Sequence, residues 1–364
     1  MPVAQGMTKH QRILETVKQQ IESGEYLPGH RLPTDLELVK HFDASRPTVA
    51  KALQELEKRG MIVRRPGSGT YVQFTENTLR FGLLIPGLGT TEIFGPICAE
   101  MARAAKKHQH SLLWGANSPA NATPEVRTQV ALELAAEFCR DKVGGVFFAP
   151  LELIHDKDDV NQRIIQQFNQ ANIPIVLLDR DFAVYPERSH YDLVGIDNRR
   201  AGYVVTNHLI QQGCQRLLFA AKPRSAPTIE SRIAGFAEVM LKNDLPLSAQ
   251  SVFRWNSHDL RSLSERLKQD TYDGIVCGND ATAGEILIAL NEIGYDVPKQ
   301  IKVTGIDDVE YAKLLRVPLT TVRQPCTEIG EVAFQVMLDR LSNPQAPYRE
   351  INLSCELVVR ESTR

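Results

Sequence analysis

The chain has 364 residues, with 42 Lys+Arg against 44 Asp+Glu for a net charge of −2, and 43% of it is hydrophobic. That length leaves room for two or three domains with buried cores, and that composition excludes a polycation, a disordered chain and a disulfide-stapled miniprotein. The six cysteines are scattered with no C-x-x-C pair, no apolar run approaches the ~20 residues of a membrane span, and residues 1–10 are polar. The sequence therefore predicts a cytoplasmic protein without a leader, a membrane partner or a metal. Its charge is uneven. Residues 1–72 hold 11 Lys+Arg and 8 Asp+Glu, a net +3, which leaves −5 for the rest. A basic end on an acidic body fits a chain that docks nucleic acid with one end.

In chain order, residues 8–22 read as a helix with Ile13, Val17 and Ile21 facing inward, stopped by Gly24. A second helix carries Leu36, Val39 and Phe42 at helical spacing, and Thr34 with Glu37 three residues on makes a capping-box start. A third buries Val49, Leu53 and Leu56. Ser45 is its N-cap, Pro47 lies in its first turn and Gly60 ends it. Residues 61–63 and 70–72 then read as two short strands joined by the cationic turn Arg64-Arg65-Pro66-Gly67-Ser68-Gly69. A helix led by Arg46 and Thr48 can enter a major groove, and a glycine-rich basic turn can approach phosphates or the minor groove. The bland alternative is a helical hairpin with a solvated charged face. The basic wing directly after the helices favours DNA.

This stretch resembles the GntR family of winged helix-turn-helix regulators. The resemblance runs from about residue 8 to 72 and rests on G-x-x-LP-[ST] at 29–34, SR-x-TV at 45–49, AL-x-x-L at 52–56 and G-x-G-T-[YF]-V at 67–72. It implies double-stranded DNA as partner, with Arg31, Thr34, Ser45, Arg46, Thr48, Lys51, Arg64, Arg65, Gly67, Ser68 and Gly69 as candidate contacts. The chain departs from the family pattern at Leu36 and Ala50, where the family often has arginine at DNA-contacting positions.

Residues 73–78 are polar and short and read as a linker. Beyond them, apolar runs at 80–86, 143–150, 173–181, 193–198, 216–222, 273–280 and 301–308 alternate with amphipathic helices. The helices are predicted at 96–109, 123–140, 159–172, 198–212, 228–243, 258–270, 280–294 and 327–342. Strands apolar throughout belong to parallel sheets covered on both faces, so this is doubly wound α/β. About 285 residues is large for one such sheet, which predicts two lobes with a cleft. Four strands end in polar groups: Asp179-Arg180-Asp181, Asp197-Asn198, Asn279-Asp280 and Asp307-Asp308. Each alone reads as a cap or turn. Together they point to a shared ligand cleft at the carboxyl ends of the strands.

The region from about 79 to 360 resembles the effector-binding body of the LacI family, through DRD at 179–181, R-x-x-GF at 232–236, ND-x-x-A-G at 279–284, GIDD at 305–308 and PLTTV-x-QP at 318–325. A GntR-type head on a LacI-type body is the layout of the arabinose-repressor subgroup. The combined resemblance implies an α/β protein: an N-terminal winged helix-turn-helix (1–72), a linker (73–78) and a two-lobed, periplasmic-binding-protein-like (type I) effector and dimerisation domain (79–364). It implies Arg232, Asn279 and Asp307 as hydroxyl binders of a sugar or polyol, with Asp280 beside them and Gln324 near a crossover between lobes. Asp179 or Arg180 comes from the other lobe, Trp255 serves as an aromatic plate, and Phe94 walls the pocket. Trp255 as a core residue and Arg232 as a surface arginine are the alternatives. Arg180, Arg188, Arg224 and Arg232 admit an acidic or phosphorylated sugar, whereas Asp179, Asp181 and Asp307 argue for a neutral polyol.

The expected function is a homodimeric repressor whose operator affinity changes as an effector closes the cleft. A sugar-processing α/β enzyme is the rival. No G-x-G-x-x-G follows a strand, no phosphate loop and no G-x-S-x-G elbow occur, and His190, His208 and His258 lack metal spacing. No cofactor is expected.

Overall fold

The computed structural model describes residues 8–22, 25–26, 30–65, 68–72, 79–85, 93–115, 122–256 and 259–364. Gly24, Gly29, Gly67, the linker at 73–78 and His258 lie outside them. Two units emerge, Met1–Thr78 and Leu79–Arg364.

The first unit is three helices and a hairpin: α1 (Lys9–Glu22), α2 (Asp35–Phe42), α3 (Arg46–Lys58), β1 (Ile62–Arg65) and β2 (Gly69–Val72). The third helix is the keystone. Val49, Ala52, Leu53 and Leu56 recur at three and four residues, and all are fully buried against Ile13, Leu14 and Val17 of the first helix. In the second helix the expected stripe is displaced. Leu38 is buried, while Leu36 is 52% exposed. Eight residues make barely two turns, too few for a spacing pattern to fix the helix rotation. The hairpin is antiparallel, with Ile62 opposite Val72 and Arg65 opposite Gly69. Arg31 bridges Tyr71 as a one-residue third strand.

The second unit contains two six-stranded sheets. The first has the order β13-β7-β6-β5-β3-β4 and is parallel throughout: β3 (Arg80–Leu84), β4 (Ser111–Trp114), β5 (Gly145–Phe148), β6 (Ile175–Leu178), β7 (Asp192–Ile196) and β13 (Glu350–Leu353). The second has the order β14-β12-β11-β10-β8-β9: β8 (Leu217–Ala221), β9 (Val252–Arg254), β10 (Gly274–Cys277), β11 (Lys302–Asp307), β12 (Thr320–Arg323) and β14 (Glu356–Val358). Only β14 runs antiparallel there. The helices are α4 (Phe94–Lys107), α5 (Pro124–Arg140), α6 (Lys157–Gln170) and α11 (Cys326–Ser342) in the first lobe, and α7 (Asn198–Gln211), α8 (Pro227–Lys242), α9 (Leu260–Gln269) and α10 (Asp280–Glu292) in the second. The chain crosses between lobes three times, after β7, after β12 and between β13 and β14. The central strands β5, β6, β8 and β10 are buried at every residue, as helices on both faces require. Among the described residues no helix is long and apolar enough to cross a membrane.

One close approach positions the site. A Cβ at Gly202 of α7 would lie 2.1 Å from the Arg232 carbonyl oxygen, and one at Gly235 of α8 would lie 2.0 Å from that of Arg199. Glycine at both positions lets the two backbones touch. That contact delivers Arg232, from the second turn of α8, beside Asn198 at the start of α7.

Candidate functional site

In the first unit the recognition helix begins where the sequence places it. Ser45 caps α3, accepting from the Thr48 amide at 3.4 Å, and its hydroxyl bonds that of Thr48 at 2.8 Å. Arg46 and Lys51 are exposed on the same helix. Thr34 and Glu37 form the full capping box on α2. Bonds from the Thr34 amide and the Thr34 hydroxyl hold the Glu37 carboxyl below its usual range. Thr34 and Ser45 therefore build the helix starts, whatever else they touch. Arg64 pairs with Asp35 at 2.7 Å and so ties the wing to α2. Arg65 lies 5.1 Å from the Tyr71 ring centroid, and Ser68 bonds the Tyr71 hydroxyl at 2.8 Å. Gly69 has φ +133°, and a side chain there would strike Arg31 Nε at 2.6 Å. Arg31, Arg46, Lys51 and Arg65 are thus exposed cations of this unit that its own carboxylates do not neutralise in any ion pair among the described residues.

In the second unit two adjoining cavities lie between the lobes. The larger, about 260 Å³, is lined by Arg127, Glu152, Leu153 and Arg180 from the first lobe and by Lys222, Ser225, Asn279 and Thr282 from the second, among others. The smaller, about 50 Å³, is lined by Ile93, Asp179 and Arg180 facing Arg232, Asn279, Asp307 and Tyr311. Of the effector residues read from sequence, Asp179, Arg180, Arg232, Asn279 and Asp307 are therefore brought to one place. Gln324 stands one bond behind, its amide donating to Asp307 Oδ1 at 2.7 Å.

The site is a packed charge cluster. Arg180 is buried and donates to the Pro150 carbonyl at 2.8 Å and to Asp179 Oδ2 at 2.8 Å, with Glu152 at 3.3 Å. Burial opposes its charge, and Glu152 and Asp179 more than restore it. Arg232 donates to Asn198 Oδ1 at 2.8 Å and to the Gly278 carbonyl at 2.6 Å, and lies 3.6 Å from Asp307. Burial pushes the Asp307 carboxyl up to about 7, against the pull of Arg232. Two acceptors of the site have no donor among the described residues: Asp179 Oδ1 and Gln324 Oε1. Both site aspartates sit on backbone that side chains disfavour, Asp179 at φ +67° and Asp307 at φ +137°. Such positions cost on the order of 1–3 kcal/mol each and gather where function holds them.

Three expected contacts are placed elsewhere. Trp255 is 1% exposed in the core with Leu218, Leu263 and Ile275, its indole N–H donating to the Asp259 carbonyl at 3.0 Å. It is a core residue, and it lines neither cavity. Asp280 is fully buried, accepting from the Thr321 hydroxyl at 2.5 Å and the Val309 amide at 3.1 Å. It ties the start of α10 to β12 and to the loop after β11. Phe94 is fully buried beneath Arg180, 5.6 Å from the guanidinium, and its neighbour Ile93 forms the wall instead. Asn279 caps α10 through its oxygen, which accepts from the Thr282 amide at 2.9 Å, so only its amide group is left to face the cavity. Sequence reasoning missed Glu152, Arg127 and Tyr311, and it marked Asn198 only as part of a strand-end pair. Glu152 follows the β5 run at a strand end, the one signal available, but as a single acid in an apolar stretch it did not stand out.

Comparison with known proteins bears on the two units. Residues 9–72 match the family of bacterial regulatory proteins, gntR family, and residues 206–363 match the periplasmic binding protein-like domain. The chain is 26% identical over 367 residues to the arabinose metabolism transcriptional repressor of Geobacillus stearothermophilus, covering 98% of each. Among solved structures it is similar to a transcriptional regulator CelR–cellobiose complex, with TM-score 0.67, 21% identity and 87% and 90% of the two chains covered. It is also similar to a LacI family regulator from Enterococcus faecium with bound ribose, with TM-score 0.63, 21% identity and 78% and 98% covered. With residues 9–72 matching the gntR family and residues 206–363 a periplasmic-binding-protein-like domain, and with transcriptional repressors similar over its whole length, the chain is a DNA-binding transcription regulator.

Proposed function

We propose that the chain is a homodimeric cytoplasmic repressor whose grip on a pseudo-palindromic operator is controlled by a sugar or polyol seated between the two lobes. The observation that carries the effector half is the pair of buried acceptors, Asp179 Oδ1 and Gln324 Oε1, left without donors beside a cavity also lined by Arg232 and Asn279. A buried unpaired acceptor is costly, and a ligand hydroxyl relieves it by donating while its own oxygen accepts from Arg232 or Asn279. Arabinose, cellobiose and ribose in the names of similar proteins support the same ligand class. A second reading, an acidic or phosphorylated sugar, is favoured by Arg127, whose buried Nε has no partner and whose side chain lines the larger cavity. It ranks lower because Arg180 and Arg232 already spend their donors on protein acceptors.

Mechanistically, the dimer presents two recognition helices to successive major grooves, and effector-driven closure of the lobes alters their spacing. Linkage makes the coupling reciprocal, so operator DNA weakens effector binding by the same factor. The test is a thermal-shift screen of arabinose, ribose, cellobiose and sugar phosphates, followed by gel shifts on duplex fragments enriched from genomic DNA by the protein. A ligand at ~100 times its Kd stabilises the body by about 2.7 kcal/mol. A screen in which phosphorylated sugars alone shift the melting point selects the second reading. DNA retention indifferent to every stabilising ligand refutes the coupling.

A further inference from the structure

The three crossovers are not the only places where the lobes meet. The loop after β5, with the first residue of α6, is joined to the loop after β8 by three hydrogen bonds across the gap. The Leu153 amide donates to the Arg224 carbonyl at 3.0 Å, the Ala226 amide donates to Glu152 Oε2 at 3.0 Å, and Lys157 Nζ donates to the Ser225 carbonyl at 2.9 Å. The facing residues Leu153 and Arg224 both lie in the left-handed region, at φ +59° and +58°. A leucine rarely adopts that conformation, and here it aims its amide at the opposite lobe.

Glu152 is the centre of this contact. Its Oε1 lies 3.3 Å from Arg180 Nη1, and Arg180 lines both cavities. Its other oxygen receives the Ala226 amide. Ala226 is the N-cap position of α8, and its own side chain makes no capping bond. In an ordinary capping box a glutamate three residues into the same helix accepts that amide. Here Ile229 occupies that position, and a carboxylate from the other lobe takes over the role. It also sets a negative charge at the positive end of α8, the helix that carries Arg232.

We propose that Glu152 is a positioning residue that ties the cavity-facing Arg180 of one lobe to the start of α8 in the other, so that aligning the site and closing the lobes are one event. It acts through Arg180 and the Ala226 amide rather than by touching ligand. The link to effector affinity rests on the sugar-binding reading above, whereas the latch itself does not.

The experiment uses the full chain and two readouts. The first is hydrogen exchange without any sugar, followed on peptides covering 151–155 and 223–227. Glu152→Ala speeds exchange of the Leu153 and Ala226 amides at least tenfold over wild type. Glu152→Gln keeps an acceptor for Ala226 and restores most of the protection, which a merely bulky structural residue would not discriminate. Lys157→Ala, with the Glu152 contacts intact, falls between. The second is calorimetric titration with arabinose, ribose and cellobiose. For any of them that wild type binds, Kd rises at least tenfold in Glu152→Ala and less than threefold in Glu152→Gln. Wild-type exchange in Glu152→Ala refutes the latch, and faster exchange with an unchanged Kd refutes its coupling to the site. If none of the three sugars binds wild type, it is the sugar reading that fails, and the exchange readout alone decides the latch. Should Glu152→Ala unfold, Glu152→Gln and Lys157→Ala carry both readouts.

Discussion

Replacing Arg232 by alanine tests whether the cleft is a charge cluster whose balance depends on pH. Arg232 is 4% exposed and satisfies the Asn198 oxygen, the Gly278 carbonyl and the Asp307 carboxylate at once. Its loss leaves two acceptors short, at about 1–3 kcal/mol for each left buried and unpaired. It also leaves Asp307 without its cation. Asp307 titrates near 7 rather than at its ordinary 3.8. The native state therefore binds more protons than the unfolded chain between those values. Stability contributed by this group falls as pH rises through that window and levels off above 7. Without Arg232 the carboxyl's pKa rises further, and the fall continues past 7. At pH 5 both proteins hold Asp307 protonated, and the ion pair contributes nothing. At pH 8, where the wild-type carboxyl has given up its proton and the variant's has not, the gap between them widens. The total at pH 8 therefore exceeds the roughly 2–6 kcal/mol that the two unpaired acceptors cost at pH 5. Urea unfolding at pH 5 and pH 8 measures this. Tryptophan fluorescence is a reporter confined to the body, because the chain's two tryptophans, Trp114 and Trp255, both lie there. Equal destabilisation at the two pH values would show that Asp307 does not feel Arg232 and would sink the argument.

Trp255→Phe loses the indole bond to Asp259, costs about 1 kcal/mol and leaves sugar affinity unchanged by calorimetry; a tenfold weaker Kd with a native melting point would return the ring to the cavity. Gly202→Ala drives a methyl into the Arg232 carbonyl, costs about 1–3 kcal/mol as an overpacked contact and displaces Arg232, so a scanning-calorimetry melting point equal to wild type contradicts the helix contact. Arg46→Ala weakens operator binding by about 1–3 kcal/mol if it reads a guanine, as followed by fluorescence anisotropy. Arg64→Ala weakens it less, because that cation is already paired with Asp35, and the reverse order would put Arg64 on the DNA.

Long amphipathic helices were legible because their spacing repeats over three turns or more. The predicted 123–140 and 327–342 meet observed Pro124–Arg140 and Cys326–Ser342. The central strands were legible because burial on both faces leaves no polar residue in them. Edge strands carry a weaker signal. β13 has alternate residues exposed, and β4 is half exposed, so neither stands out as an apolar run. At the site, the sequence supplied the residues at the strand ends but not their division of labour. Asn279 and Asp280 are adjacent, yet the turn into α10 sends one to the cavity and buries the other under Thr321 and Val309. Trp255 shows the same limit. An aromatic residue near a strand end has one composition and two possible faces, and only the packing of α9 and α10 decides between them.

The division of labour has a physical consequence. Glu152, Asp179 and Asp307 face Arg180 and Arg232 in a space of a few hundred cubic ångströms, and water around them screens their repulsions when the lobes stand apart. Closing the lobes strips that water, which strengthens the pairs and raises the cost of any group left over. The groups left over are Asp179 Oδ1 and Gln324 Oε1. Closure without ligand is thus held by the rim bonds and opposed by the interior. A hydroxylated ligand removes the opposition at its source by supplying the missing donors. A ligand that only filled the volume would leave both acceptors dry and would not close the cleft. On the proposed reading, that requirement for donors, more than shape, selects polyols over apolar molecules of equal size.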